Sequence, residues 1–287
     1  MDNKFKIFIH GDSMKNSYQF IHLETYADTP QKNSKRPSLE AVARECQREE
    51  ESFPHIENPQ PPEILYGIPP LEAVSKVRKL VKDVRDGLNR KIRKDAQIAS
   101  FGVASINVES TPENWESIEV QRWIKDTENF LKKRFGDSFV SLVKHSCEAK
   151  CHLHFILIPQ VRDGIIDLSS FHPGLAAQRT VTENKKSKKD YAYREAMRTF
   201  QDEYYEHVGL VNGQLRYGPR RKRLSRADWY AQKRYAQLLS NAFNDKNKLI
   251  SNLSSKLEKA KNILAKVFPK QASVLNSSQS KDSELSL

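Results

Sequence analysis

Residues 145–159 read HSCEAKCHLHFILIP, and the second half of that run sets the fold. His152, Leu153, His154 and Phe155 alternate with the period of a half-buried strand, so both imidazoles leave one face while Leu153 and Phe155 turn into a core. Residues 138–145 have the composition of a preceding strand. Six residues separate the two segments, which predicts an antiparallel hairpin with His145 alongside His152 and His154. Eight histidines spread evenly over 287 residues would put about 0.3 in any ten-residue window, and residues 145–154 hold three, so the cluster calls for a reason. Imidazoles with an ordinary pKa of ~6.5 cost little to deprotonate, and three of them leave coordination positions open for water or substrate. His145, His152 and His154 are therefore the expected metal ligands, with Glu148 in the turn as an orienting group or base. Two other readings remain open at this point. The histidines can simply decorate an edge hairpin, or Cys147 and Cys151 can make a small structural zinc site in the turn.

Working outward, residues 5–10 and 18–24 each have the length and the Phe/Ile content of a strand. Ser38 is a plausible N-cap for a charged helix running to Glu51. Six prolines between 54 and 70 predict a stiff extended connector, neither helix nor central strand. The spacing of Val74, Val77, Val81, Val84 and Leu88 predicts one amphipathic helix over about 71–98. A strand over 101–109 follows, then a helix over 113–135 with Trp115, Ile118, Trp123 and Phe130 in the core and Gly136 stopping it. Residues 182–189 read as a lysine-rich loop and 190–208 as a helix. A last long helix carries Ile250, Leu253, Leu257, Ala260, Leu264 and Val267 at heptad spacing, a seam too short to settle on a coiled coil but compatible with a homodimer. The domain organisation expected is a main domain over 1–235, a long helix over 236–268 and a disordered, Ser-rich tail over 269–287. The fold class expected is α+β: an antiparallel sheet of about five strands, helices mainly on one face and the metal site on the other.

Forty-eight Lys and Arg against 36 Asp and Glu leave a net charge of +12, which points to an anionic partner, nucleic acid first. Three cysteines exclude a disulfide framework. No apolar run reaches the ~18 residues of a membrane span, and residues 1–11 lack the apolar core of a secretory signal, so a cytoplasmic protein is expected. Arg220, Arg221, Lys222, Arg223 and Arg226 fall within eight residues, next to Tyr217, Trp229 and Tyr230. Guanidinium groups hold phosphates and aromatic faces stack on unpaired bases, so these five are the expected DNA contacts.

The stretch HSCEAKCHLHFILIP resembles the metal-binding signature of the plasmid mobilisation relaxases (Mob/Pre type, MobV group), His-x-Asp-Glu-x-x-Pro-His-x-His followed by an apolar strand and a proline. His145, Glu148, His152, His154 and Pro159 match in register; Cys147 stands in place of Asp and Cys151 in place of Pro. The strand ASINVESTP, the helix through FLKKRFGD and the segment YREAMRTFQDEYYEHVGL look similar too. The resemblance implies a member of the HUH endonuclease class, which nicks one strand of origin DNA, single-stranded or near a hairpin, and stays attached to the 5′ phosphate. In that group the nucleophile is a histidine near the N-terminus. The best match is His22-Leu23-Glu24-Thr25-Tyr26, so the role passes to His22, with Tyr26 as a second possibility and Leu23 and Thr25 departing from the motif. The resemblance also implies Mn²⁺ or Mg²⁺; Mn²⁺ is favoured, with Zn²⁺ the lesser expectation. A rolling-circle replication initiator and a nuclease-dead, origin-binding repressor are the alternatives.

Overall fold

A computed structural model of the chain describes residues 17–30, 34, 36–52, 59–85, 89–218 and 226–267. Five strands make the main sheet: β1 (Gln19–Ala27), β2 (Glu63–Gly67), β3 (Gln97–Glu109), β4 (Phe139–His145) and β5 (Lys150–Leu157). Their order is β1-β3-β5-β4-β2, and every neighbouring pair is antiparallel. The chain is α+β, as expected, and β4 and β5 form the anticipated hairpin. A second, two-stranded sheet pairs β6 (Val161–Arg162) with β7 (Ile165–Ile166).

The register carries the functional content of the sheet. Phe20 faces Ser105, Ser105 faces His152, and His152 faces His145. One row along, His22 faces Val103, Val103 faces His154, and His154 faces Val143. Directly opposed residues of an antiparallel sheet point to the same side. His22, Glu24 and Tyr26 therefore share one face with His145, His152 and His154.

The opposite face is apolar. Ile21, Leu23, Leu142, Leu153 and Phe155 are fully buried there against α4 (Ile118–Phe135) and α6 (Lys186–Tyr204), each large side chain contributing roughly 1.5–3 kcal/mol. Gly102 of β3 lies against the Phe155 ring, where any Cβ would collide with it. Trp123 Nε1 donates to Tyr204 Oη at 2.9 Å, and Thr127 Oγ1 shares that hydroxyl at 2.9 Å, so these three buried polar groups are paired.

Helices also cover the histidine face, which corrects the expectation that they would lie mainly on the other. Leu39, Ala43 and Cys46 of α1 (Leu39–Gln47) and Ala73, Val74 and Val77 of α2 (Pro70–Asp83) pack on Phe101, Val143 and Ile156. The reason is chemical. Phe101, Val143 and Ile156 form an apolar patch beside the polar His22, Glu24 and histidine-cluster side chains of that face, and this patch needs a roof.

Other boundaries shift for local reasons. Ser38 caps α1, accepting from the Ala41 N–H at 3.1 Å, but the helix stops at Gln47 because Arg48 turns left-handed with φ 58°. Helix α2 ends at Asp83, since Val84 is extended and Arg85 donates its N–H to Gly164 O at 3.0 Å. The proline-rich connector contains β2, which tolerates its surroundings as an edge strand. The helix expected over 113–135 breaks into α3 (Pro112–Trp115) and α4, because Ser117 caps a new start at Val120 N–H. Ile118, expected in the core, is 82% exposed at that start. Helix α6 begins at Lys186, inside the expected loop, and a π-turn over Tyr205–Gly209 follows it.

The chain divides into two compact units, Met1–Gln237 and Leu238–Leu287. Helix α7 spans Arg226–Val267, and Ile250, Leu253, Leu257 and Leu264 of its seam are exposed. No described helix is long and apolar enough to cross a membrane. The strand expected over 5–10, Leu88 and the tail expected over 269–287 lie outside the described residues.

His172 caps α5 (Pro173–Thr180), its Nδ1 accepting from the Leu175 N–H at 3.3 Å, and it is fully buried, which pushes its pKa down to about 4. The unfolded imidazole takes up its proton near pH ~6.5 and the folded one only near 4, so acid favours unfolding between those values. Urea denaturation of the full chain at stepped pH checks this. His172→Asn, which keeps a capping side chain, is expected to remove about 3 kcal/mol of the stability lost between pH 6.5 and 4. An unchanged pH dependence would contradict the assignment.

Candidate metal centre and nucleophile pocket

The β4–β5 hairpin brings three imidazoles within ring-centroid distances of 4.5 Å (His145–His154), 5.0 Å (His152–His154) and 5.5 Å (His145–His152). Glu148, in the connecting turn, completes a group whose ligand atoms all lie within 4.8 Å of one another. The sequence placed all four of these residues together, and the structure brings all four together.

Backbone carbonyls fix how the rings present their lone pairs. His145 is buried, and its Nε2 lies 2.6 Å from the carbonyl oxygen of Cys46, near the C-terminus of α1. A carbonyl only accepts, so Nε2 carries the proton and Nδ1 keeps the lone pair, aimed into the cluster. That carbonyl is one of the acceptors a helix end leaves unsatisfied, so α1 and His145 complete each other. His152 Nδ1 donates to the Lys150 carbonyl at 2.9 Å, which leaves its Nε2 as the acceptor. This Nε2 is buried without a hydrogen bond, 3.3 Å from Glu148 Oε1. A lone pair and a carboxylate oxygen facing each other at that distance repel unless a proton or a cation stands between them, so the donor set fits a divalent cation. Burial lowers the pKa of His145, with the Arg48 and His152 charges adding to it, and lowers that of His154 further, with His145 and His152 adding to it, so both present neutral rings.

The nucleophile candidates line the same cavity, about 230 Å³ in volume, with His22, Glu24, Tyr26, Arg48, His145, Glu148 and His154 among its walls. Glu24 lies between the two. Its Oε1 is 3.1 Å from His22 Nε2, and its Oε2 accepts from the Tyr26 hydroxyl at 3.2 Å. Burial pushes the Glu24 carboxyl up, but the hydrogen bonds from His22 and Tyr26 outweigh it, and the group stays an anion. An anionic Glu24 accepts the Nε2 proton and leaves His22 Nδ1 with a free lone pair. Tyr26 is the poorer nucleophile, because burial and then the Glu24 charge raise its pKa and disfavour the phenolate. Phe20 stacks on His22 with ring centroids 6.1 Å apart.

The structure separates the cysteines from the cluster. Cys151 belongs to the core on the opposite face, its thiol 3.4 Å from the Glu109 carbonyl, and burial pushes it up to about 12. Neither Cys147 nor Cys151 joins the metal-competent group among the described residues. Arg220, Arg221, Lys222 and Arg223 lie outside the described residues, and Arg226 opens α7. Sequence reasoning missed Arg48, whose Nη2 donates to His145 Nδ1 at 2.8 Å and to Glu148 Oε1 at 2.5 Å. A lone arginine after a helix, 97 residues before its partner, gives no local signal.

The model of the plasmid recombination enzyme family, Mob_Pre, matches residues 71–236, more than half of the chain's 287. The chain belongs to that family. The matched stretch takes in β3, β4, β5 and the whole histidine cluster, and it starts after β1, so His22 stands outside it. No curated protein matches the chain. Among solved structures it is similar to the MobM relaxase domain (MOBV; Mob_Pre) bound to plasmid pMV158 oriT DNA with manganese, at 12% identity over 75% of this chain and 98% of that one, with a TM-score of 0.47. It is similar also to the same domain bound to a 26-nucleotide oriT DNA, at 12% identity over 72% and 95%, with a TM-score of 0.41.

Thiol labelling tests the placement of the cysteines. Cys46 and Cys151 are buried and both are pushed up to about 12 by burial, whereas Cys147 is half-exposed. A chromogenic disulfide at pH 8 is expected to titrate one thiol in the native chain and three in denaturant, with mass spectrometry placing the first on Cys147. Labelling of Cys151 as fast as Cys147 would contradict the burial of β5.

Proposed function

We propose that the chain is a relaxase: a metal-dependent enzyme that nicks and rejoins one DNA strand at a plasmid transfer or recombination origin through a covalent 5′-phosphate intermediate. One observation carries the reading. In a chain of the plasmid recombination enzyme family, three imidazoles and a carboxylate form a cation-competent cluster in the same cavity as a histidine whose lone pair is free.

His145 through Nδ1, His152 through Nε2, and His154 would hold a divalent cation, with Glu148 beside them. Bound there, the cation would neutralise charge on the scissile phosphate and polarise phosphorus. Manganese is the ion in the MobM relaxase structure, and we propose it for this chain. The solved domain carries oriT DNA, and we propose origin DNA as the substrate here.

His22 Nδ1 attacks phosphorus in line. The N–P bond forms as the bond to the 3′ oxygen breaks, and the strand leaves with a 3′-hydroxyl once that oxygen gains a proton. Glu24 holds Nε2–H through the step and stabilises the positive charge that the ring acquires. The phosphoramidate conserves the energy of the phosphodiester, so attack by a 3′-hydroxyl rejoins the strand. Glu148 stands against His145 and His152, and its role is to set the charge and orientation of the cluster. Arg220, Arg221, Lys222, Arg223 and Arg226 supply the phosphate-holding cations, which makes binding strongly salt-dependent.

The test is supercoiled plasmid bearing the cognate origin, incubated with the full chain and Mn²⁺. Relaxed circles with protein on a 5′ end are expected, and peptide mapping should place the adduct on His22. His152→Ala should lower the nicking rate at least ~100-fold, the order seen when a transition-state contact is lost, without loss of fold. A stable DNA complex with no nicking, or normal cutting by His152→Ala, would overturn the reading.

A further inference from the structure

We propose that Arg48 is an internal counter-cation of the histidine cluster, competing with the divalent ion for His145 Nδ1 and thereby setting the affinity of the site. This deepens the reading of the cluster as a cation site and rests on it.

Arg48 occupies an unusual place. It closes α1 with φ 58°, the left-handed region in which helices ordinarily end on glycine or asparagine. A residue with a Cβ pays in local strain there. The side chain is nevertheless only 2% exposed, turned inward beneath the hairpin. Its Nη2 reaches both His145 Nδ1, at 2.8 Å, and Glu148 Oε1, at 2.5 Å.

Bonding at His145 makes the two cations exclusive. Nε2 is committed as a donor to the Cys46 carbonyl at 2.6 Å, so the ring has a single lone pair to offer, on Nδ1. In this structure that lone pair accepts from the guanidinium. One in-plane lone pair cannot accept an N–H and bind a metal ion together. A cation that takes His145 must therefore move Arg48 off Nδ1, and it must also take over part of the charge balance at Glu148, which Arg48 now supplies. The arrangement costs the site affinity and keeps Glu148 and the His145 ring ordered by a tethered positive charge. Arg48 lines the same cavity as His22, so the guanidinium is a positioning group within the site and not a surface charge.

Manganese binding to the full chain, read from the electron paramagnetic resonance signal of free Mn²⁺, tests this without any nicking assay. Two variants are compared with the unaltered chain. Arg48→Gly suits the left-handed backbone, and Arg48→Met keeps most of the side-chain bulk without donors; circular dichroism checks that both fold. Both are expected to bind Mn²⁺ at least tenfold more tightly, and Arg48→Lys, which keeps the charge, should not. Equal or weaker affinity in the Gly and Met variants would overturn the proposal and make Arg48 a support of the ligand set. Absence of Mn²⁺ binding by every form, the unaltered chain included, would overturn the cation reading itself, a distinct result.

Discussion

The register of β5 between β3 and β4 is the constraint on which the rest depends. Side chains alternate with a period of two, so a slip of one residue would send His152 and His154 into the apolar layer and Leu153 and Phe155 out of it. Neither side would survive that exchange. Leu153 and Phe155 are fully buried against α4 and α6, and His152 would lose its place opposite His145 and 3.3 Å from Glu148. The apolar layer on one face thus holds the polar constellation on the other. Because β1 pairs with β3 in the same register, the core residues Ile21 and Leu23 also fix the side on which His22 and Glu24 emerge.

Helix α1 does for the site what the sheet cannot. Its apolar stripe covers Val143 and Ile156, and its C-terminus arrives over His145 with an unsatisfied carbonyl and an inward arginine. The carbonyl selects the tautomer and the arginine balances Glu148. Glu24 repeats the logic on β1, binding His22 and Tyr26 through its two oxygens and giving them opposite characters: the imidazole a free lone pair, the phenol a proton it is reluctant to lose.

Much of this was legible in the sequence because its signals are local. The polar–apolar alternation of residues 152–156, the short turn and the position of Glu148 all lie within fifteen residues, and a two-residue period translates directly into a face. Ser38 was readable as a cap for the same reason. The illegible parts depend on distant partners. Helix α2 stops at Asp83 because Arg85 finds Gly164, and α1 roofs the histidine face because Val143 and Ile156 need cover there. The break at Ser117 leaves Ile118 exposed although its spacing suits a buried stripe, since a serine cap outweighs continuation of the period. Arg48 is the extreme case, as nothing near it in sequence distinguishes it from the other arginines.

The central claim is that the hairpin aims three imidazole nitrogens at one shared cation. Pulsed electron paramagnetic resonance of Mn²⁺ added in stoichiometric amount to the full chain measures this directly, through nitrogen hyperfine couplings to the ion. Couplings from three histidine nitrogens are predicted. A spectrum of manganese surrounded by water oxygens alone would contradict the account.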